Sequence, residues 1–287
     1  MLKRVLFIIN PVIRKRKKKK ILLGIAHILD KNSFDYKIQF SDFPGHTAEI
    51  VRQNIDGFDV FVAAGGDGTI NEISKVLVGT EKILGIIPTG SGNGLARHLK
   101  IPLNIFDAIK KINQFHIRII DTVNINEYTF VNVAGIGFDA LVAHKFSSSV
   151  SRGFFSYSYH VLKEFIRFEP IVISMVADGE KYTKKVLIIA IANSSQFGYN
   201  AFISPLSHIN DGFFEICCLK KFPVLLFPLL AVRLFTKTIH KSKYFEMVSA
   251  KEAKLEHTPF IHVDGEPLKI SEIMEIKINP TSLKVIA

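Results

Sequence analysis

The sequence predicts an α/β domain followed by a second, mostly β domain, and three observations carry that expectation. From the amino terminus to about residue 120, short apolar runs alternate with helix-like segments, the pattern of a parallel sheet covered by helices. From about Asp121 the rhythm changes to short strands separated by turn residues. Two glycine-rich stretches, Gly65 to Glu72 and Thr89 to Asn93, each follow a strand and open a helix. In an open parallel sheet that is where ligands gather.

The elements follow in order. Val5 to Ile9 reads as the first strand, Lys17 to Leu29 as a helix and Tyr36 to Phe40 as the second strand. A helix begins at about His46. The β-branched and aromatic run Asp59 to Ala64 is a buried strand, and Ile70, Ile73, Val76 and Leu77 have the spacing of a helix's inner face. Ile83 to Ile87 continues the series. In the second half, Val123 to Ile125, Thr129 to Val133, Ile171 to Val176, Lys185 to Ala192 and Phe213 to Leu219 read as strands, and Asp178-Gly179 is a hairpin signal. Ser147 to Ser149 is the expected loop.

Bulk composition narrows the class. The chain has 287 residues, comfortable for two domains, and 48% are apolar, which argues against wholesale disorder. Lys and Arg number 37 against 26 Asp and Glu, a formal charge of +11 that favours an anionic partner. Cys217 and Cys218 are adjacent in a strand, so they should point to opposite faces. They form neither a disulfide framework nor a metal-ligand pattern, which fits a reducing compartment. The first residues lack the features of a signal peptide, and no apolar run approaches the ~20 residues of a spanning helix. A cytoplasmic location follows as the expectation.

The chemistry concentrates in Gly65-Gly66-Asp67-Gly68-Thr69-Ile70-Asn71-Glu72. Glycines between strand and helix let backbone N–H groups approach a phosphate closely, and Asp67 adds a carboxylate beside it. The second turn offers Ser91, Asn93 and a helix N-terminus to phosphate or ribose oxygens. Near the carboxyl end, His262-Val263-Asp264-Gly265-Glu266-Pro267 places two carboxylates around a glycine. Phosphoryl transfer to an alcohol needs a base for the hydroxyl proton, and either Glu266 or Asp264 could serve. The ten histidines show no metal-ligand spacing and read as structural or surface residues.

Together these three motifs resemble the diacylglycerol kinase catalytic family, which includes bacterial lipid kinases and sphingosine kinases. The resemblance covers nearly the whole chain, connecting segments such as Val133 to Asp139 included. It implies a phosphofructokinase-like α/β nucleotide-binding domain at residues 1–120, rejoined by 276–287, and a β-sandwich substrate domain at 121–275, with ATP in the cleft between them. It implies nucleotide contacts at Asn10, Ser41, Gly66, Asp67, Gly68, Thr69, Ile70, Asn71, Glu72 and Ser91, with Glu266 as general base. Asp67 and Asp121 would join a water-mediated network around Mg²⁺. Asp211, with main-chain oxygens of His208 and Phe213, matches a structural Mg²⁺ site of some bacterial members, a donor set that suits a hard cation. The chain departs from the family at Val12-Ile13-Arg14, where a small residue and glycine are usual, and at Gly94, where many bacterial members carry aspartate.

The resemblance implies an ATP-dependent kinase for a membrane lipid, working peripherally at an anionic surface. Two rivals stand beside it: a soluble-substrate kinase of the NAD kinase type, whose members also carry a GGDGT turn, and a nucleotide-binding membrane regulator without chemistry. Arg14 to Lys20 is seven consecutive basic residues, which read as a solvated helix start beside the nucleotide or as membrane attraction worth ~1 kcal/mol per residue. Nucleic acid is not the expected partner, because no aromatic base-stacking pattern accompanies the run. Phe222 to Phe235 is too short and too broken by Pro223 and Pro228 to span a bilayer. It reads as a buried helix or a lipid-contacting lid, and 152–168 allows the same two readings. Homodimerisation stays open.

Overall fold

A computed structural model describes residues 2–146, 163–256, 261–268 and 273–287. The expected loop at Ser147 to Ser149 and most of the 152–168 segment lie outside the described residues. The chain divides into two compact units, Met1–Thr122 with Asn279–Ala287, and Val123–Ile278.

The first unit is a parallel sheet flanked by helices. Its strands are β1 (Lys3–Ile9), β2 (Phe34–Phe40), β3 (Val60–Gly65) and β4 (Ile83–Pro88), in the order β2-β1-β3-β4. β3 and β4 are buried along their whole length, as the apolar runs demand of strands covered on both faces. Its helices are α1 (Lys15–His27), α2 (His46–Asn54), α3 (Asp67–Leu77), α4 (Gly94–His98) and α5 (Ile105–Gln114). α1 packs on α5, where a Cβ at Gly24 would stand 2.5 Å from Ile109 Cδ1, so glycine sets that close approach.

Register decides where the site can form. Ile9 pairs with both Phe40 and Ala64, and Gly65 pairs with Pro88, so all four strands end level with one another. Asn10 N–H donates to Ala64 O (3.1 Å), Ser41 N–H to Ile9 O (3.1 Å) and Thr89 N–H to Gly65 O (2.8 Å), carrying the alignment into the loops.

The second unit is a β-sandwich. Its strands are β5 (Ile117–Ile125, begun in the first unit), β6 (Tyr128–Phe130), β7 (Val133–Gly137), β8 (Ile171–Ala177), β9 (Glu180–Val186), β10 (Ile188–Ala192), β11 (Phe214–Leu219), β12 (Phe245–Ala250), β13 (Glu252–Glu256), β14 (Ile261–Val263), β15 (Glu266–Leu268) and β16 (Ile273–Ile286). One sheet runs β12-β11-β10-β7-β14-β15. The facing layer holds β9-β8-β13 and the first half of β16, with β5 and β6. The far end of β16 pairs with β4 in the first unit, Lys284 with Ile83 and Val285 with Leu84. Ala134, Ile136, Ile189, Ile191, Phe214 and Ile216 meet Ile173, Met175, Leu255 and Ile276 in the sandwich core.

The alternate residues of the six-stranded sheet, Val133, Ala190, Ala192, Cys217 and Leu219, build a second apolar cluster on its other face. Over it lie α6 (Phe138–Phe146) and α7 (Phe227–Phe235), which follows a 3₁₀ turn at Val224–Leu226. Cys217 and Cys218 accordingly fall in different clusters, and both are free thiols. The single strand expected over Lys185 to Ala192 is instead two, broken at Leu187. There Leu187 N–H donates to Leu219 O and Leu187 O accepts from Phe138 N–H, which turns the chain from one sheet to the other. Among the described residues no helix is long and apolar enough to cross a membrane.

Candidate active site

Asn10, Ser41 and the two glycine-rich turns emerge at the level strand ends of the first unit. Asn10 Oδ1 accepts from Val12 N–H (2.9 Å), and its Nδ2 donates to Thr69 Oγ1 (2.9 Å), which ties the first loop to the start of α3. Thr69 in turn lies over Gly65, where a Cβ would meet its side chain at 2.3 Å. The two turns touch: a Cβ on Gly90 would stand 2.6 Å from Gly66 Cα. Glycine is required at both turns for backbone to approach backbone, which presents the N–H groups opening α3 together with the second turn.

Asp67 holds this arrangement. Its Oδ2 accepts from Asn93 N–H (2.9 Å) and its Oδ1 from Gly94 N–H (2.7 Å). Burial pushes its carboxyl above the ordinary aspartate value, while these two N–H groups and Arg97 pull the other way. Asn93 adopts the left-handed conformation (φ 51°), and its Nδ2 donates to Gly90 O. From the basic run, Lys17 Nζ donates to Thr89 O (2.7 Å), so one of the seven cations is built into the turn. Lys18 instead lies over the Phe40 ring.

The other expected contacts differ in kind. Ser41 is buried and Ser91 is exposed at the tip of its turn. Gly66 and Gly68 are partly accessible. Ile70 and Asn71 bury their side chains, and Ile70 N–H is already donated to Gly66 O, so they shape the turn from behind. Glu72 Oε1 accepts from Gly45 N–H (2.9 Å) and thereby fixes the start of α2. Asp121, 1% exposed, accepts from Thr281 N–H (2.7 Å). It fastens the returning strand beside the Thr122–Ser282 hydroxyl pair (2.9 Å).

In the second unit, Asp264 and Glu266 separate cleanly. Asp264 (φ 49°) and Gly265 (φ 87°) form the two-residue turn joining β14 and β15. Asp264 is 8% exposed and accepts from the N–H groups of Val131 (3.2 Å), Asn132 (3.0 Å) and Val133 (3.1 Å). A carboxylate so engaged serves as an anchor for the 131–133 backbone. Glu266, on the same turn, is exposed.

Beneath the anchor lies a buried polar patch that sequence reasoning missed. Ser194 Oγ donates to Asn132 Oδ1, and Asn193 Nδ2 donates to Val131 O (2.9 Å). The run Asn193-Ser194-Ser195-Gln196 directly after an apolar strand was its only signal. His262 was also missed. Its Nε2 lies 3.3 Å from Asp139 Oδ2 in a niche that exists because Gly135 has no Cβ.

The residues fit the metal roles in part. Each oxygen of Asp67 takes one N–H and keeps a second lone pair, which suits hydrogen bonding from metal-bound water. Asp211 Oδ1 accepts from Phe213 N–H (3.1 Å) in a tight turn through Gly212, and both Asp211 and His208 are exposed. Among the described residues no group of three or more His, Cys, Asp or Glu gathers to hold a metal ion. A cation at Asp211 would therefore rest on one carboxylate, carbonyls and water.

Comparison with known proteins agrees with this geometry. Residues 4–125 match the diacylglycerol kinase catalytic domain, and 132–287 match the YegS C-terminal NAD kinase beta sandwich-like domain. A diacylglycerol kinase of Staphylococcus saprophyticus is 28% identical over 227 residues, 77% of this chain and 74% of that protein. In fold, the chain is similar to a diacylglycerol kinase of Bacillus anthracis (TM-score 0.75, 20% identity, 99% and 96% of the two chains). It is more distantly similar to yeast NADH kinase complexed with NADH (TM-score 0.53, 12% identity, 99% and 83% of the two chains). Matched along both of its units, the chain belongs to the diacylglycerol kinase catalytic family of YegS-like bacterial lipid kinases.

Proposed function

We propose that this chain transfers the γ-phosphoryl group of ATP to the hydroxyl of a membrane lipid, with diacylglycerol as the first candidate and a sphingoid lipid as the second. The observation that carries the lipid half of the reading is an apolar cavity of about 160 Å³ on the outer face of the six-stranded sheet. Phe138, Phe165, Leu219, Phe222, Phe227 and Leu230 line it, and among the described residues no charged side chain does. An apolar cavity of roughly that volume holds a benzene-sized hydrocarbon, which suits a stretch of acyl chain and has no use for a dinucleotide. The name of the curated relatives supports diacylglycerol over other long-chain alcohols.

In this reading the N–H groups of Gly66, Gly68 and Thr69 donate to the nucleotide phosphates, with Asn10, Ser41 and Ser91 supplying further donors. Asp67 keeps the two turns in contact. Glu266 accepts the proton of the lipid hydroxyl as that oxygen bonds to the γ-phosphorus and the bond to the β–γ bridging oxygen breaks, releasing ADP. Mg²⁺, when bound with ATP, supplies charge neutralisation at the phosphates, and Asp67 would hold its water shell, while Asp121, buried against Thr281 N–H, supports the fold behind it. Asp211, with the carbonyls of His208 and Phe213, would hold a second, structural ion.

The test is Glu266→Gln, which keeps the shape of the side chain and removes its basicity. It should bind ATP as the parent does and lose turnover by about two orders of magnitude or more. Turnover at the parental rate would assign the base elsewhere. Phosphorylation of NAD with no lipid product would favour the soluble-substrate alternative.

A further inference from the structure

Residues 224–235 have two apolar faces, and only one of them is used inside the protein. Leu226, Phe227, Leu230 and Leu234 turn inward against the cluster of Phe138, Phe165 and Phe222. Leu225, Leu229, Val232 and Phe235 face outward, at 88%, 49%, 56% and 56% exposure. Their spacing of four, three and three residues places them in one stripe along the 3₁₀ turn and α7, opposite the buried stripe. Four large apolar side chains aligned on a helix surface make a contiguous patch rather than scattered exposure.

The charge around the stripe selects its partner. The thirty residues 216–245 contain six Lys or Arg and no Asp or Glu. Lys220 is neutralised by Glu246, and Lys221 donates to Phe168 O. Lys237, Lys241 and Lys243 are exposed at the carboxyl end of α7 and just beyond it, and Arg233 sits in its last turn. Lys237 and Lys243 lie over the rings of Phe202 and Tyr244, which holds those side chains close to the surface. An apolar stripe bordered by unopposed cations matches an anionic bilayer, with hydrocarbon below the headgroups and phosphates at their level. At twelve residues, with Pro228 in its first turn, the segment lies in the interface and does not cross it.

We infer that residues 224–235 dock this protein on an anionic phospholipid surface, and that the same helix forms one wall of the acyl-chain cavity. The inference rests on the lipid-kinase reading for the purpose of the cavity, but docking itself does not require turnover. A lipid leaving the bilayer beside α7 passes from its outer face to its inner one without crossing water. The exposed cations of α1 offer a rival attachment, and a second copy of the chain is a rival occupant of the stripe.

The experiment is sedimentation of the full chain with vesicles of phosphatidylcholine alone and of phosphatidylcholine with phosphatidylglycerol. The expected result is binding to the anionic vesicles only, weakened by salt. The double variant Leu229→Glu/Val232→Glu should bind at least about tenfold more weakly, with an unchanged thermal melt, because both positions are exposed. It should still phosphorylate a short-chain, water-dispersed diacylglycerol at the parental rate. Parental vesicle binding by that variant overturns the inference, and loss confined to Lys19→Glu/Lys20→Glu would assign docking to α1. A parent that fails to bind vesicles and dissociates from dimer to monomer on the same double substitution overturns it in favour of a second copy. Absence of any lipid product, with vesicle binding intact, would count against the kinase reading and leave the docking surface standing.

Discussion

Replacing Asp264 by alanine should unfold the second unit more easily without touching the glycine-rich turns of the first. Three backbone N–H groups, of Val131, Asn132 and Val133, lose their acceptor together. Hydrogen bonds to a charged partner are worth about 1.5–3 kcal/mol each, and a buried donor left without an acceptor costs about 1–3 kcal/mol. The three share one carboxylate, so their losses do not add. A total of about 3–5 kcal/mol is expected. With a urea slope of roughly 2–3 kcal/mol/M, that is a fall in midpoint of about 1–2.5 M, read by circular dichroism because the chain has no tryptophan. Asp264→Asn should fall between, since one oxygen can still accept from Asn132 and Val133 while its amide faces Val131 N–H. Glu266→Gln, exposed on the same turn, should stay within about 0.5 kcal/mol of the parent. A loss below about 1 kcal/mol for Asp264→Ala would refute the anchor and reopen Asp264 as a base.

Two further substitutions probe other parts of the account. Glu215 is 4% exposed, and burial, opposed by the hydroxyl of Ser207 and reinforced by Asp211, raises its carboxyl to about 7. Because the folded state binds the extra proton, stability is fullest below the ordinary glutamate value of 4.5 and falls as pH rises through about 7. At 1.36 kcal/mol per unit, the parent should lose about 3 kcal/mol across that window relative to Glu215→Gln. Parallel stability–pH curves for the two proteins would rule this out. Gly90→Ala should force the two glycine-rich turns apart, since its Cβ would press on Gly66 Cα at 2.6 Å. We expect ATP affinity to drop at least about tenfold with a stability cost of about 1–3 kcal/mol, and calorimetric titration showing parental affinity would contradict the close approach.

The local parts of this fold were legible because their signals are local. Alternating runs marked the parallel sheet, and Asp178-Gly179 marked a hairpin that forms with both residues at positive φ, 45° and 85°. The glycines of the two turns were equally plain, since their spacing is sequential. What could not be read is whatever one segment does to a distant one. Asp264 and Glu266 look alike in the sequence. They are told apart by a loop more than 130 residues earlier that delivers its N–H groups to only one of them. The niche joining His262 of β14 to Asp139 of α6 depends on a glycine in a third element, β7. Lys17 is indistinguishable from its basic neighbours until α1 carries its ammonium to Thr89 O. For residues 222–235, the buried helix and the lipid-facing lid were posed as alternatives. The structure shows a helix with one apolar face buried, at Phe227, Leu230 and Leu234, and a second one exposed, at Leu229, Val232 and Phe235, a division that a run of apolar letters does not reveal.

The central claim is tested most directly by incubating the purified chain with labelled ATP, Mg²⁺ and mixed micelles of diacylglycerol, sphingosine, ceramide and a total lipid extract, with Glu266→Gln alongside. The account predicts a labelled lipid, diacylglycerol-derived first of all, that vanishes in the variant. ATP binding without label in any lipid would contradict it, as would a lipid product made equally well by Glu266→Gln.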